Sequence, residues 1–201
     1  METLLQLPSV DLNLRVKVDG VEGNSHSTSD LSHQYPAPGL TALEAAAQGG
    51  EADIVRLLLT TEPSLECEPA WFLAAAGGHL EILEILSGQG VEENLRDGEG
   101  RTALSHAVLA SQEGAVRYLV EAGSDINIRD TEERSLLELA VLQEDLEMVE
   151  TLLECGAEMT PGLLELAVQL DSPASLTLLL EKGAPVNQHL WSLARGKHQL
   201  R

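Results

Sequence analysis

Shifted by 28 residues, the chain matches itself. The run from Ala42 to Leu58, within Gly39 to Leu59, falls on Ala70 to Leu86, with Ala46-Ala47 over Ala74-Ala75, Gly49-Gly50 over Gly77-Gly78, and two aliphatic tails in register. Gly100-Arg101-Thr102-Ala103-Leu104 follows at a further 33, and Val116 to Asn127 keeps that register. Ser135 to Ala140 and Met148 to Gly156 come 33 later, then Leu163 to Ala167 and Leu176 to Asn187 after another 27. A period of this size means that each unit is one supersecondary element too thin to bury its apolar face alone. The chain is therefore confined to a stack of units.

Each unit carries the same signals. Leu and Ala spaced three or four apart, as at Leu104 and Ala107 or Leu137 and Ala140, predict a short helix whose small side chains admit a neighbour. A turn follows at Gly49-Gly50 or Gly77-Gly78, then a more aliphatic helix such as that begun by Ile54-Val55-Arg56-Leu57-Leu58. In the fifth unit Ser172-Pro173 replaces the glycines; serine caps and proline suits the first helical position, so the helix is expected to start there. Gly90, Gly123, Gly156 and Gly183 stand where a left-handed cap would close each unit.

These units resemble the ankyrin repeat. Gly39-x-Thr41-x-Leu43, Gly100-x-Thr102-x-Leu104, Gly78-His79, Gly123-Ser124-Asp125-Ile126-Asn127 and Gly183-Ala184-Pro185-Val186-Asn187 carry the likeness. The resemblance implies an all-α ankyrin-repeat solenoid of paired antiparallel helices with short β-hairpin fingers. No unit has the family's full Thr-Pro-Leu-His: the four positions hold Thr41 to Glu44, Pro69 to Phe72, Thr102 to Ser105, Ser135 to Glu138 and Gly162 to Glu165. The family's Thr–His hydrogen bonding is absent, so the expected stack is marginally stable. The short offsets predict full fingers only around 91–101 and 124–134, with clipped turns near 60–69 and 157–161.

The expected division is an irregular N-terminal segment and linker over 1–38, five repeats at 39–66, 67–99, 100–132, 133–159 and 160–187, and a half-repeat over 188–201. In the first segment Leu12, Leu14, Val16 and Val18 alternate with Asn13, Arg15 and Lys17, the pattern of a half-buried strand. That stretch is either a frayed leader or a cap on the first repeat. Leu190-Trp191-Ser192-Leu193-Ala194 repeats the first-helix pattern, as a C-terminal cap or a truncated sixth repeat.

Charge narrows the function. Twelve Lys and Arg stand against 33 Asp and Glu, for a formal charge of −21, and the whole excess lies in the repeats, which hold 7 basic and 28 acidic residues. A chain so acidic repels phosphate backbones and anionic lipid, so neither nucleic acid nor membrane is an expected partner. No apolar run is long enough to span a bilayer, and the first eight residues lack a signal peptide's basic start. A cytoplasmic or nuclear monomer that needs no cofactor or metal is the expectation. Cys67 and Cys155 make no disulfide framework or zinc site, and no phosphate loop or nucleophile motif is present. His79 is expected to be structural at the inner turn, and His106 to lie on a helix surface. Glu44, Glu138 and Glu165 recur at one position, but stacked units hold equivalent positions about 10 Å apart, too far for an acid/base couple.

Four cations recur in pairs. Arg96 and Arg129 are 33 apart, as are Arg101 and Arg134, each beside Asp97, Glu99, Asp130, Glu132 or Glu133. They are either internal salt bridges or a ladder that reads an acidic segment of a partner. Ankyrin proteins generally bind through finger tips and the open side of the first helices. By position that implies Glu99, Arg101, Leu109 and Ala110 in the third unit, with Gly98 beside them. Glu132, Arg134, Leu142 and Gln143 follow in the fourth, with Thr131; Gln48, Gln169 and Leu170 complete the set in the outer units. Leu109, Leu142 and Leu170 are either an apolar binding row or core. Asn127 resembles the asparagine that such repeats offer to a 2-oxoglutarate-dependent hydroxylase. The implied function is a non-catalytic protein-interaction module, an adaptor, scaffold or inhibitor. The competing reading is an acidic decoy for a basic, nucleic-acid-binding protein.

Overall fold

A computed structural model describes residues 40–186. The strand expected within residues 10–18, the linker after it and the half-repeat at Leu190–Ala194 lie outside the described residues.

The described residues form ten helices in five antiparallel pairs. The first members are α1 (Ala42–Gly49), α3 (Glu68–Gly77), α5 (Ala103–Leu109), α7 (Leu136–Leu142) and α9 (Gly162–Gln169). Their partners are α2 (Ala52–Thr61), α4 (Leu80–Ser87), α6 (Glu113–Glu121), α8 (Leu146–Glu154) and α10 (Pro173–Glu181). First helices pack on first helices along the stack, α1 on α3, α3 on α5, α5 on α7 and α7 on α9, with second helices in a parallel row. The chain is an all-α solenoid.

Helices of seven to ten residues are marginal in water by themselves, so stacking supplies their stability. The core runs the length of the stack and is aliphatic: Leu43, Leu83, Leu104, Leu119, Leu137 and Leu152 are among its fully buried side chains. Truncating one such leucine to alanine costs about 2–5 kcal/mol. Trp71, the largest buried side chain, has an indole N–H without a hydrogen-bond partner.

The missing histidine of the four-residue motif has a local replacement. Thr41 accepts from the Glu44 N–H while the Glu44 carboxylate accepts from the Thr41 N–H, a reciprocal capping box; Thr102 with Ser105 and Ser135 with Glu138 repeat it. These bonds satisfy helix-end donors that would otherwise be orphaned. The starts of α3 and α9, which follow the short connections 62–67 and 155–161, have no such cap and carry Pro69 and Pro161 instead. Ser172 caps α10 by accepting from the Ser175 N–H, with Pro173 at the first helical position. Gly90, Gly123, Gly156 and Gly183 all have positive φ.

Among the described residues the fingers are not hairpins of paired strands. The bridge between Arg129 and Ser135 stands alone, and the tips are folded by aspartate side chains rather than by a ladder.

Candidate functional site

The two long connections, residues 88–102 and 122–135, project the fingers, and one aspartate organises each. Asp97 Oδ1 accepts from the N–H groups of Glu99 and Arg101 at 2.9 and 2.8 Å; Asp130 Oδ1 accepts from those of Glu132 and Arg134 at 2.9 and 3.0 Å. The backbone closes the same loop, with the aspartate N–H donating to the arginine carbonyl four residues on, at 2.9 and 3.1 Å. Aspartate suits this task because its short side chain reaches its own backbone two residues ahead. At the fourth position of the loop the chain must turn left-handed, which Gly100 does at φ 72 and Glu133 does at φ 61.

The second carboxylate oxygen is used differently in the two fingers. Asp130 Oδ2 takes the side edge of the Arg134 guanidinium, at 2.9 Å from Nε and 2.8 Å from Nη2. Burial alone would raise the Asp130 carboxyl, but the Arg134 N–H, its guanidinium and the Glu132 N–H outweigh that and hold its pKa below the ordinary value. Asp97 Oδ2 instead lies 2.7 Å from His106 Nε2, with both side chains nearly sealed from water at 2% and 4% exposure. The His106 ring also rests against Phe72 with centroids 5.3 Å apart. His106 is thus buried, not a surface residue as its helical position suggests: its side chain points back under the finger, where a carboxylate meets it. Arg101 pairs with Glu99, as Arg134 also pairs with Glu132 at 2.8 Å, but its Nε is buried without a hydrogen-bond partner.

The fingers are also laced to each other. Thr131 donates its N–H and its hydroxyl to the Glu99 carbonyl at 3.1 and 3.0 Å, and Arg96 reaches across to the Arg129 carbonyl at 2.7 Å. Arg129 donates to the Glu133 carbonyl at 2.5 Å and lies 3.8 Å from Glu138. The remaining cations of the repeats follow the same rule. Arg56 pairs with Glu81, Arg117 with Glu154 and Lys182 with Glu150, each across neighbouring second helices. The Arg117 hydrogen bond draws the exposed Glu154 carboxyl below its usual range. All seven cations of the repeats therefore have internal partners, and the surplus acid faces solvent.

Beside the fingers, the ends of the first helices are unevenly exposed. Leu142 stands 41% exposed, whereas Leu109 and Leu170 are half-buried against the core. Gln143 is exposed and donates its side-chain amide to the Leu109 carbonyl at 2.8 Å, joining two units at the ends of their first helices. Ala110 is half-buried; Gln48 and Gln169 are exposed. His79 sits at the inner turn with Nε2 3.2 Å from the Gln48 carbonyl oxygen. Asn127 Oδ1 accepts from the Glu158 N–H at 2.9 Å, as Asn94 Oδ1 accepts from Asp125 N–H at 2.7 Å one unit earlier.

What sequence reasoning missed here is the organising role of Asp97 and Asp130. The signal was available, since Asp-x-x-x-Arg recurs at the same 33-residue spacing as the arginines. The thiols of Cys67 and Cys155 are both pushed up by burial, which leaves them poorly ionised. Among the described residues no three His, Cys, Asp or Glu side chains converge to hold a metal ion, and no helix is long and apolar enough to cross a membrane.

A family model described as ankyrin repeats, in three copies, matches residues 71–162. No curated protein matches the chain at a significant level.

Proposed function

Because this chain carries ankyrin repeats, a family that generally mediates protein–protein interaction, we propose that it is a non-catalytic adaptor, scaffold or inhibitor that holds a partner against its fingers and groove. The contact set comprises Glu99, Arg101, Leu109 and Ala110, then Glu132, Arg134, Leu142 and Gln143, with Gln169 and Leu170 at the far end. The observation that carries this reading is Leu142, a large apolar side chain exposed at the groove edge beside a glutamine that braces two units. Affinity capture from the source cell, repeated with Leu109→Glu and Leu142→Glu, tests it: one partner retained by the parent and lost by Leu142→Glu supports the groove. Retention unchanged by either substitution sinks it.

A second reading draws on a separate observation. With every cation of the repeats internally paired, the exposed field is acidic, the property of a decoy that occupies a basic, nucleic-acid-binding protein. Capture that disappears near 0.3 M salt, where the screening length falls well below ~10 Å, favours the decoy; salt-insensitive capture favours the groove. Within the same proposal Asn127 is an acceptor for hydroxylation, exposed yet tied to Glu158 by its amide. Peptide mass spectrometry of the natively expressed protein without added oxygen on Asn127 removes that part.

A further inference from the structure

The first helix pair shows apolar side chains that every later pair buries. Ile54 of α2 is 47% exposed and Leu57 66%. One unit on, the residues at the position of Ile54 are Ile82, then Ala115, Met148 and Ser175, none more than 1% exposed. The position of Leu57 becomes Ile85, Tyr118, Thr151 and Leu178, all half-buried or buried. The first helix repeats the trend: Ala45 is exposed, while its successors His106 and Leu139 are buried.

Helical geometry explains the pattern. Arg56 faces α4, where it meets Glu81 at 2.7 Å. Two residues are about 200° around a helix, so Ile54 and Leu58 lie on the opposite side from Arg56, with Leu57 between the two sides. That side is the one a preceding unit covers for α4, α6, α8 and α10. In α2 no described residue covers it, and the exposed acids Glu51, Asp53 and Glu62 flank it.

We propose that residues 12–18 of this chain dock on the open face of α1 and α2 as an extended cap. Three properties of the sequence match the face. Leu12, Leu14, Val16 and Val18 alternate with polar residues, so one side of an extended segment is wholly apolar. Seven extended residues span about 20 Å, enough to run the roughly 15 Å of a ten-residue helix. Arg15 and Lys17, the only cations of the first 38 residues, alternate with those apolar residues, and the face they would border is acidic. The 21 residues from 19 to 39 join it to α1; a chain of that length with random-coil statistics reaches about 23–27 Å, so docking is intramolecular at high effective concentration.

The test uses the full chain and amide hydrogen exchange read by mass spectrometry. In Leu14→Asp/Val16→Asp, the α1 and α2 amides exchange at least tenfold faster than in the parent, while α7 and α8 stay within twofold. A synthetic peptide of residues 9–20 added to that variant restores the lost protection. The converse variant, Ile54→Asp/Leu57→Asp, speeds exchange within residues 12–18 themselves. Unchanged α1–α2 rates in the first variant overturn the proposal. So does protection that survives in the variant and rises with protein concentration alongside a dimer in sedimentation, because a second copy then covers the face.

Discussion

In the first finger the outer oxygen of Asp97 is held from beneath by His106, a residue of α5 that also leans on Phe72 of α3. In the second, the equivalent oxygen of Asp130 is held by Arg134 from within the finger itself. The loops share an aspartate and an arginine in register but differ at several positions, Gly98 against Thr131 and Gly100 against Glu133 among them; beneath them His106 stands against Leu139, 33 residues on. The histidine makes the first finger continuous with two helix pairs, while the second relies on its own ion pairs, on Arg129 beside Glu138, and on Thr131, Arg96 and Asn94 for its tie to the first. A finger whose aspartate is held from the core and one whose aspartate is held by its own arginine thus stand side by side. The lesson is that the same loop aspartate can be satisfied from the core or from the tip.

The strongest way to break this contrast is to remove each aspartate. Asp97→Ala leaves the buried His106 ring and two loop N–H groups without their acceptor, a loss of about 3 kcal/mol in urea unfolding. Asp130→Ala releases an arginine that reaches solvent easily and should cost about 2 kcal/mol or less. Equal losses would mean that the histidine anchor adds nothing.

Gly100→Ala forces a side chain into the left-handed turn, with the new carbon 3.0 Å from Thr131 Cγ2 and 3.1 Å from its nitrogen. It should lower stability by about 1–2 kcal/mol, seen as a shift of the thermal midpoint. A neutral result would show that the lacing between fingers is loose.

Acid sharpens the comparison further. The depressed Asp130 pKa means that its contribution is complete above the unfolded aspartate value of about 3.9 and is lost as pH falls through the lower folded value. Amide exchange over 129–135, corrected for its intrinsic pH dependence, should lose protection in that acidic window. Flat protection across it contradicts the ion pair as the second finger's main support.

The smallest effect is a gain. Glu133 sits at φ 61 where the first finger has glycine, so Glu133→Gly should stabilise the protein by roughly 0.5–1 kcal/mol in chemical denaturation. A destabilised variant would point to an unrecognised role for the Glu133 side chain.

Much of the fold was legible because it rests on spacing. The alternation of Leu and Ala in the first helices, the Ser172-Pro173 start and the closing glycines are local signals, and each is read within one turn of chain. The capping boxes were equally local but were obscured by comparison with a histidine motif: Glu44, Ser105 and Glu138 look like departures until their reciprocal bonds are seen. The site was less legible. Both arginines pair with the glutamate two residues before them, Arg101 with Glu99 and Arg134 with Glu132, but the second oxygen of each aspartate goes to a different donor, His106 for Asp97 and Arg134 for Asp130, and only the first of these comes from another element.

By itself the sequence determined a stack of helix pairs, the lengths of its connections and the location of its acid, because each follows from residue type at a fixed period. Only the tertiary structure decided that His106 points inward, that all seven cations of the repeats are spent internally and that Leu142 is exposed while Leu109 is half-buried. Those outcomes depend on contacts between units, where one carboxylate oxygen accepts whichever donor the packing brings to it.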